Sequence, residues 1–256
     1  MKFKNSIRSL IEYFFRNKVF KRVLPTKFGA VQLLVSGEGG LGFLFKKMSD
    51  VDPLLISNAE EFVKDGNVVW DVGANLGLFT FTSSIIVGNK GKVIAFEPDA
   101  WLVNTLRKSA KRQKHSSNIV IIPTAVAKEN AIRTFAIANR ARSSNHLIEY
   151  GHSQTGGTRE SQTVSCVSLD WVLNFYPAPN VLKIDVEGAE CEVLIGAQEV
   201  IEKYRPIVIV EVGGENSKEV GKFFRLNRYD IYDGEIDYRE RISLENAPWT
   251  TIAIPK

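Results

Sequence analysis

Two glycines and a carboxylate follow a short apolar run near the middle of this chain. Residues 68–70 are apolar and lead into Asp71. Two glycines, Gly73 and Gly77, come next, and residues 78–87 then form an apolar run of helical character. Glycines let a turn adopt a positive φ and approach a ligand closely, while the free N–H groups of a helix start attract a carboxylate or phosphate. The spacing therefore predicts a strand, a tight turn and a helix that bind a nucleotide-like ligand.

An acidic residue closes the next apolar run. Residues 92–97 read KVIAFE, which places Glu97 20 positions after Gly77. At this offset a carboxylate at the end of the second strand can bind the hydroxyls of a ribose. Two independent features thus predict the same binding site.

Two further acidic residues end apolar runs later in the chain. Asp185 lies in NVLKIDV at 180–186, and Glu211 lies in IVIVEV at 207–212. Lys183 shares a strand face with Asp185, which predicts a structural ion pair. Since the carboxyl ends of parallel strands lie at one edge of a sheet, we expect four carboxylates to meet there: Asp71, Glu97, Asp185 and Glu211. Carboxylates at such a rim can act as a base for group transfer to a hydroxyl.

Apolar periodicity predicts strands and helices that alternate along the chain. Strands are expected near 68–70, 92–97, 118–123, 131–138, 163–169, 180–186, 207–212 and 249–254, and helices near 53–64, 78–87, 100–114, 189–203 and 218–226. Alternation of this kind indicates an α/β fold with a doubly wound, mostly parallel sheet covered on both faces. A chain of 256 residues that is 44% hydrophobic is long enough to bury its core as one large domain.

A polar stretch separates two of the predicted strands. Residues 139–162 contain His146 and His152 and lack a clear period. Stretches of this length are usually functional lids or disordered segments. We expect both histidines to be exposed in a mobile loop.

The charge is concentrated at the N-terminus. Residues 1–27 carry eight Lys or Arg against one acid, Glu12, so this segment is +7 within a total of +4. The remaining −3 argues against a nucleic-acid substrate, which needs basic residues near the site. Residues 7–19 have the pattern of a basic amphipathic helix, which predicts packing on the domain or, as the alternative, peripheral contact with an anionic membrane.

A second glycine motif lies upstream. Gly37, Gly39 and Gly42 form G-x-G-x-x-G after an apolar run, so a nicotinamide-binding fingerprint must be considered. The apolar segment that follows is short for a crossover helix, and no strand ending in an acid lies about 20 residues further on. A glycine-rich hairpin is the favoured interpretation.

The cysteine content indicates neither a metal site nor a disulfide framework. Only Cys166 and Cys191 occur, without the paired spacing of zinc ligands. No run of 18 apolar residues occurs, so no spanning helix is predicted. These features predict a cytoplasmic protein, with peripheral attachment to the inner face of a membrane as the alternative.

Five segments in order resemble the FkbM-type family of S-adenosylmethionine-dependent methyltransferases. They are VWDVGANLGLFTF, VIAFEPDAWLVNTL, SLDWVL, VLKIDVEGAECEVLIGA and RPIVIVEV, and the resemblance covers about residues 55–212. It implies a Rossmann-like seven-stranded sheet whose last strand is antiparallel, S-adenosylmethionine as donor, and O-methylation of a sugar, glycan or small metabolite. On this basis residues 53–256 are the methyltransferase domain, and 1–52 are an extension made of the basic helix and the hairpin.

The resemblance also implies roles for individual residues. Asp71 and Gly73 would hold the methionine end of the donor, Asn75 and Gly77 would shape the turn, and Glu97 would bind the ribose. Thr124 and Ala125 fall where the adenine ring is usually enclosed. Asp185, Glu187 and Gly188 match the family's DVEG motif, where donor and acceptor meet.

Asp185 is the first hypothesis for the base, because it ends the strand expected beside the donor, and Glu187 is the second. Two other classes stay open: a donor-binding protein that docks on membranes without catalysis, and a nicotinamide-dependent oxidoreductase. We expect a chain starting near Lys27 to keep its donor affinity, since every matched motif lies later.

Overall fold

The computed structural model describes residues 14–29, 31–113, 118–151 and 157–256. Thirteen strands occur in this part of the chain: β1 (Phe20–Val23), β2 (Gln32–Val35), β3 (Val68–Val72), β4 (Lys92–Phe96), β5 (Ile119–Ile122), β6 (Ala125–Val126), β7 (Ala131–Ala138), β8 (His146–Leu147), β9 (Thr158–Val167), β10 (Val181–Ile184), β11 (Ile207–Glu211), β12 (Tyr229–Asp233) and β13 (Thr250–Pro255).

Seven α-helices accompany these strands in the described residues: α1 (Gly42–Phe45), α2 (Pro53–Phe62), α3 (Leu78–Ile86), α4 (Ala100–Ala110), α5 (Leu169–Val172), α6 (Glu190–Ile195) and α7 (Ser217–Leu226). Side chains fix several of their starts. Asp52 accepts a hydrogen bond from Leu55 N at the start of α2, and Asp99 accepts from Trp101 N and Leu102 N at the start of α4.

The central sheet has seven strands in the order β12-β13-β11-β10-β3-β4-β5. Strands β11, β10, β3, β4 and β5 pair in parallel, whereas β13 is antiparallel to both of its neighbours. The expected α/β class with a mixed, mostly parallel sheet is confirmed. Strand β12 was not predicted, because YDIYD lacks an apolar run.

Both faces of this sheet are covered, which explains why its strands are apolar without alternation. On one face, Val69 of β3 belongs to a buried cluster with Phe62 of α2 and Phe79 of α3. On the other face, Trp70 lies in a cluster with Val193 of α6 and Phe224 of α7. The carboxyl ends of the strands therefore emerge between two layers of helices.

A second sheet has four strands in the order β6-β9-β7-β8. It shows that the prediction of a structureless stretch over 139–162 is wrong in part. Strand β9 begins at Thr158 and pairs with β7 over most of its length, and residues 146–147 form the edge strand β8. Hydrogen bonding along β7 orders this polar stretch despite its lack of apolar periodicity.

The N-terminal segment forms a hairpin, but not the predicted one. Strand β1 pairs with β2, and the glycines come after the hairpin, in a 3-10 turn over Gly37–Gly39 and in α1. Buried side chains of this segment, such as Leu33 and Val35, share a cluster with Leu76 and Leu106 of the domain. The division at residue 52 stays a prediction, and most of the predicted basic helix lies outside the described residues.

The predicted helix over 189–203 is interrupted. Helix α6 ends at Ile195, and a separate π-helical turn spans Val200–Tyr204. Asp170 accepts hydrogen bonds from Glu199 N and Val200 N, so a side chain of another helix caps the second piece. Among the described residues, no helix has the length and apolar character needed to cross a bilayer.

Candidate functional site

A cavity of about 770 Å³ opens at the carboxyl ends of the central strands. The strand ends contribute Gly73, Glu97, Asp185 and Glu211, and the second sheet and its connections contribute Thr124, Ala125, Arg142, Asn145 and His146. The N-terminal segment adds Gly39, Gly40 and Lys46. The topology thus brings three separate parts of the sequence to one cavity.

Gly73, in the turn after β3, has no room for a side chain. Gly73 has φ +77°, and a Cβ at this position would lie 1.9 Å from the carbonyl oxygen of Asp185. The N–H groups of Gly73 and Ala74 both donate to Phe96 O at 3.0 Å. Gly77, at φ +87°, precedes α3 and does not line the cavity. Gly73 therefore allows β3 and β10 to approach closely at the site.

Asn75 carries an unsatisfied polar atom at the cavity. Its φ is +50°, its N–H donates to Glu97 Oε2 at 2.9 Å, and its amide nitrogen lies 3.5 Å from Gly39 O. The side-chain oxygen is buried and accepts no hydrogen bond within the described residues. A buried acceptor of this kind fits a ligand that brings a hydroxyl or amino group.

Glu97 is 4% exposed and is fixed by backbone groups. Its Oε1 accepts from Asp99 N and its Oε2 from Asn75 N, each at 2.9 Å. Burial raises the pKa of Glu97 to about 8, and the charge of Asp99 acts in the same direction. Both oxygens keep free lone pairs, so the carboxylate can accept hydrogen bonds from two adjacent ribose hydroxyls.

Asp71 lies behind the cavity wall and does not line it. Its fully buried carboxylate accepts a hydrogen bond from Thr80 Oγ1 at 2.5 Å and pairs with Lys183 Nζ at 3.1 Å. Asp71 was predicted to hold the methionine end of the donor, but the structure places it where it supports the turn rather than lines the cavity. Gly77 was predicted to shape the turn, and it lies at the start of α3 with a positive φ.

Lys183 connects the turn to the second acidic strand end. Its Nζ donates to Gly73 O at 2.8 Å and pairs with Asp185 Oδ2 at 3.2 Å. Although burial lowers the pKa of Lys183, the charges of Asp185 and Asp71 raise it above its usual value. The predicted ion pair with Asp185 is confirmed, and the lysine stays charged in the core.

Three carboxylates line the cavity near this lysine, those of Asp185, Glu187 and Glu211. Burial, followed by the charges of Asp185 and Glu190, raises the pKa of Glu187 to about 7. The charge of Asp185, followed by burial, raises the pKa of Glu211 to about 8. Carboxylates that bind a proton near neutral pH are suited to acid–base work.

A buried charge network forms the side of the cavity next to Glu97. Arg142 Nε lies 2.6 Å from Glu38 Oε2, and Arg142 Nη1 pairs with Asp99 Oδ2 at 2.5 Å. Asn145 Nδ2 donates to the same Asp99 oxygen at 2.8 Å. Neither Arg142 nor Asn145 was predicted from the sequence, because a polar stretch gives no signal of burial.

Glu38 connects this network to the N-terminal segment. It accepts hydrogen bonds from Asn17 N at 2.6 Å and from Arg159 Nη2 at 3.0 Å. Burial raises the pKa of Glu38, but the hydrogen bonds from Asn17, Arg159 and Arg142 outweigh it and lower the pKa below its ordinary value.

Two other sequence predictions concern the lid and the adenine position. His146 is buried and lines the cavity, with Nδ1 3.2 Å from Ser144 O, so its predicted exposure is wrong; His152 lies outside the described residues. Thr124 and Ala125 line the cavity, and Thr124 Oγ1 donates to Ser165 O at 2.9 Å. Within the described ranges, no group of three or more potential metal ligands is present.

The G-x-G-x-x-G segment does not have the context of a nicotinamide-binding motif. Strand β2, which precedes it, pairs with β1 in a separate two-stranded sheet, and helix α1 has only four residues. The glycines instead provide close packing, since a Cβ on Gly39 would lie 2.3 Å from Leu76 Cδ1.

The chain is similar in sequence to two known methyltransferases. Over 175 residues the chain is 29% identical to the hexuronic acid methyltransferase AglP of Haloferax volcanii. This alignment covers 68% of this chain and 66% of AglP. Over 60 residues it is 33% identical to a probable cobalt-precorrin-6B C(15)-methyltransferase of Saccharolobus solfataricus, covering 23% of this chain and 30% of that protein. The chain thus spans less than two thirds of the length of either relative.

A solved structure, the methyltransferase FkbM of Methylobacillus flagellatus, aligns with a TM-score of 0.49 at 14% identity, covering 81% of this chain and 54% of that one. The profile of the Methyltransferase FkbM domain matches residues 71–236, from the end of β3 to beyond β12. The chain therefore belongs to the FkbM methyltransferase family, and its cofactor is S-adenosylmethionine.

Proposed function

We propose that this chain transfers a methyl group from S-adenosylmethionine to a hydroxyl of a sugar, and that acidic sugars are its acceptor class. The similarity to a hexuronic acid methyltransferase supports the acceptor class. One observation carries the reaction type: Asp185, Glu187 and Glu211 line the same cavity as Gly73 and Glu97. Carboxylates able to accept a proton thus lie beside the residues suited to hold the donor.

The chemistry required of the protein is limited. When bound, S-adenosylmethionine supplies an electrophilic methyl group on a positively charged sulfur. The chain must hold the donor, exclude water, align the acceptor and remove the hydroxyl proton. We assign donor binding to Glu97, Asn75 and the turn at Gly73, since these groups present free lone pairs and close backbone approach at the cavity wall.

We assign the base to Glu187, which reverses the ranking derived from the sequence. Asp185 Oδ2 pairs with Lys183 Nζ at 3.2 Å, so one oxygen of this carboxylate is already engaged. Glu187 has a pKa raised to about 7, near the value at which a general base is most effective at neutral pH. Asp185 then positions the acceptor and keeps Lys183 on the turn.

Incubation of the purified chain with methyl-labelled S-adenosylmethionine tests the proposal. The acceptors are a hexuronic acid glycoside and the matching neutral hexose glycoside, and mass analysis locates the added methyl group. We expect O-methylation of the acidic sugar. The rate should rise with pH through about 7 and level off above it, because Glu187 acts as a base only when ionised.

Glu187→Gln keeps the shape of the side chain and removes its basicity, and Glu240→Gln, an exposed substitution, is the matched control. Glu187→Gln should lower turnover and keep donor affinity measured by calorimetry. Normal turnover in this variant removes Glu187 as the base. Donor binding without methyl transfer to either sugar would favour a donor-binding, non-catalytic protein.

A further inference from the structure

Four aromatic rings form one cluster on the surface of the N-terminal hairpin. The Phe15 ring centroid lies 5.4 Å from that of Phe14, 5.7 Å from that of Phe20 and 6.1 Å from that of Phe45. Phe14 and Phe45 are 64% and 65% exposed, and Phe20 is exposed as well. We call these four residues the aromatic patch. Contiguous exposed rings mark an interaction surface, whereas isolated ones do not.

The aromatic patch is not a displaced part of the core. Residues of the same hairpin that face inward, such as Leu24, Leu33 and Val35, are fully buried. Val19 and Val23 are also exposed. Phe20 pairs with Val35 across the hairpin, so the two side chains lie on the same face, and the aromatic patch is the part of this face that reaches solvent.

Basic residues flank the rings of the patch along the chain, and we call them its basic rim. Residues 14–29 and 45–48 contain seven Lys or Arg and no acidic residue: Arg16, Lys18, Lys21, Arg22, Lys27, Lys46 and Lys47. Lys18 Nζ lies 3.6 Å from the centroid of the Phe14 ring, and Arg22 donates a hydrogen bond to Lys46 O, which joins the two segments. Two of the seven have partners elsewhere: Lys27 pairs with Glu60 at 2.5 Å, and Arg16 donates a hydrogen bond to Asn139 O at 3.1 Å.

We propose that the aromatic patch and its basic rim dock this protein on an anionic phospholipid surface. Aromatic side chains favour the boundary between headgroups and acyl chains, and Lys and Arg around them are attracted to anionic lipids. The charge complementarity selects this partner over a second copy of the chain, because two copies of the patch would bring like charges together. The preceding residues, 1–13, add Lys2, Lys4 and Arg8 against Glu12 in sequence.

The docking surface adjoins the candidate active site. Lys46 follows Phe45 of the patch and lines the cavity together with Phe43 and Leu41. A protein bound through the patch therefore holds its cavity mouth close to the headgroups. Docking itself does not depend on the proposed methyl transfer.

Flotation of the full chain with vesicles tests the proposal. One set of vesicles contains phosphatidylglycerol and phosphatidylcholine, and the other contains phosphatidylcholine alone. We expect the chain to float with the anionic vesicles and to stay at the bottom with the neutral ones, and raised salt should release it. Phe14→Ser with Phe45→Ser should weaken binding about tenfold or more, through loss of apolar contact.

Charge reversal probes the rim. Lys18→Glu with Lys47→Glu should weaken binding by more than about fivefold per position, since each basic residue near the surface contributes about that factor. The matched controls lie on other faces: Ile132→Ser with Leu226→Ser, at sites 71% and 74% exposed, and Lys218→Glu with Lys222→Glu on α7. Both controls should float like the unmodified chain.

Three outcomes would overturn the proposal. The first is that the unmodified chain fails to float with anionic vesicles, and the second is that a control pair loses binding as much as the patch variants do. The third is a dimer in light scattering that Phe14→Ser with Phe45→Ser converts to a monomer, without any flotation of the unmodified chain. That result would assign the patch to self-association. All substituted side chains are exposed, so the variants should remain folded, which circular dichroism checks.

Discussion

Arg142 and Asp99 form a buried ion pair that connects the second sheet to the donor side of the cavity. Asp99 Oδ2 accepts from Arg142 Nη1, while Asp99 Oδ1 caps α4 and Asp99 N donates to Glu97. Through its carboxylate Asp99 therefore fixes a helix start and a lid residue, and through its backbone N–H it holds the predicted ribose-binding acid. Displacement of Arg142 should disturb all three.

Arg142→Met should destabilise the protein by about 3–5 kcal/mol, because it leaves Asp99 and Glu38 buried without their shared cation. Urea unfolding followed by circular dichroism measures the loss. Lys203→Ala removes an exposed ion pair with Glu199 and should leave the midpoint of urea unfolding nearly unchanged. An equal loss in the two variants would show that the buried network has no special role.

Gly73→Ala should abolish donor binding or folding. The new Cβ would lie 1.9 Å from Asp185 O, and φ is +77°, so β3 and β10 would have to separate at the site. Gly213→Ala meets nothing within 4 Å and is the control. Thermal melts and calorimetric titration with S-adenosylmethionine compare the two, and normal donor affinity in Gly73→Ala would contradict the assigned turn geometry.

Glu97→Ala should weaken binding of S-adenosylmethionine about ten- to a hundredfold. Two hydrogen bonds from ribose hydroxyls to the side chain of Glu97, at the end of β4 in the cavity wall, would be lost, and each contributes about 1 kcal/mol. Isothermal titration calorimetry measures the change, with Glu240→Gln as the exposed control. Unchanged affinity would remove Glu97 from the donor site.

Glu97 should also make stability depend on pH. Its pKa rises from 4.5 to about 8 in the folded protein through burial, so between these values the native state keeps a proton that the unfolded state has lost. The free energy of unfolding contributed by this group therefore falls as the pH rises from about 4.5 to 8, and it is constant above that.

Glu97→Gln lacks this titration. The melting temperature of Glu97→Gln minus that of the unmodified protein should therefore increase from pH 5 to pH 8. We expect about 2–4 °C for each kcal/mol of unfolding free energy that the unmodified protein loses over this range. Melts at five pH values from 5 to 9 measure the difference, and Glu240→Gln should follow the unmodified protein throughout. A difference between Glu97→Gln and the unmodified protein that does not change with pH would contradict the burial penalty.

The sequence predicted the rim of the sheet because its signals are local. Apolar strands that end in a charged residue identify Glu97, Asp185 and Glu211, and the parallel arrangement brings them together. The base was harder to choose, since the pairing of Lys183 with both Asp71 and Asp185 depends on the register of β3 and β10.

Features that depend on distant partners were not predictable. Arg142 and Glu38 lie 104 positions apart, and each is a surface residue by type. The helix pattern over 189–203 is continuous in sequence, but the helix is interrupted near Gly196. This glycine packs so closely on Ala127 that a Cβ on Gly196 would lie 2.3 Å from the Ala127 carbonyl oxygen. The following helical turn begins where Asp170 accepts a hydrogen bond from Val200 N. Only the folded arrangement supplies these contacts.

The pairing of β3 with β10 has a consequence for biosynthesis. Val68 N donates to Asn180 Oδ1 across 112 positions, and the strand that carries the glycine turn gains its second neighbour only when β10 has been made. Until then β3 is an open edge of apolar residues, available to other chains. Folding should therefore be slow, because so long a loop must close, and a nascent chain that stops before residue 181 should be prone to aggregation on the ribosome.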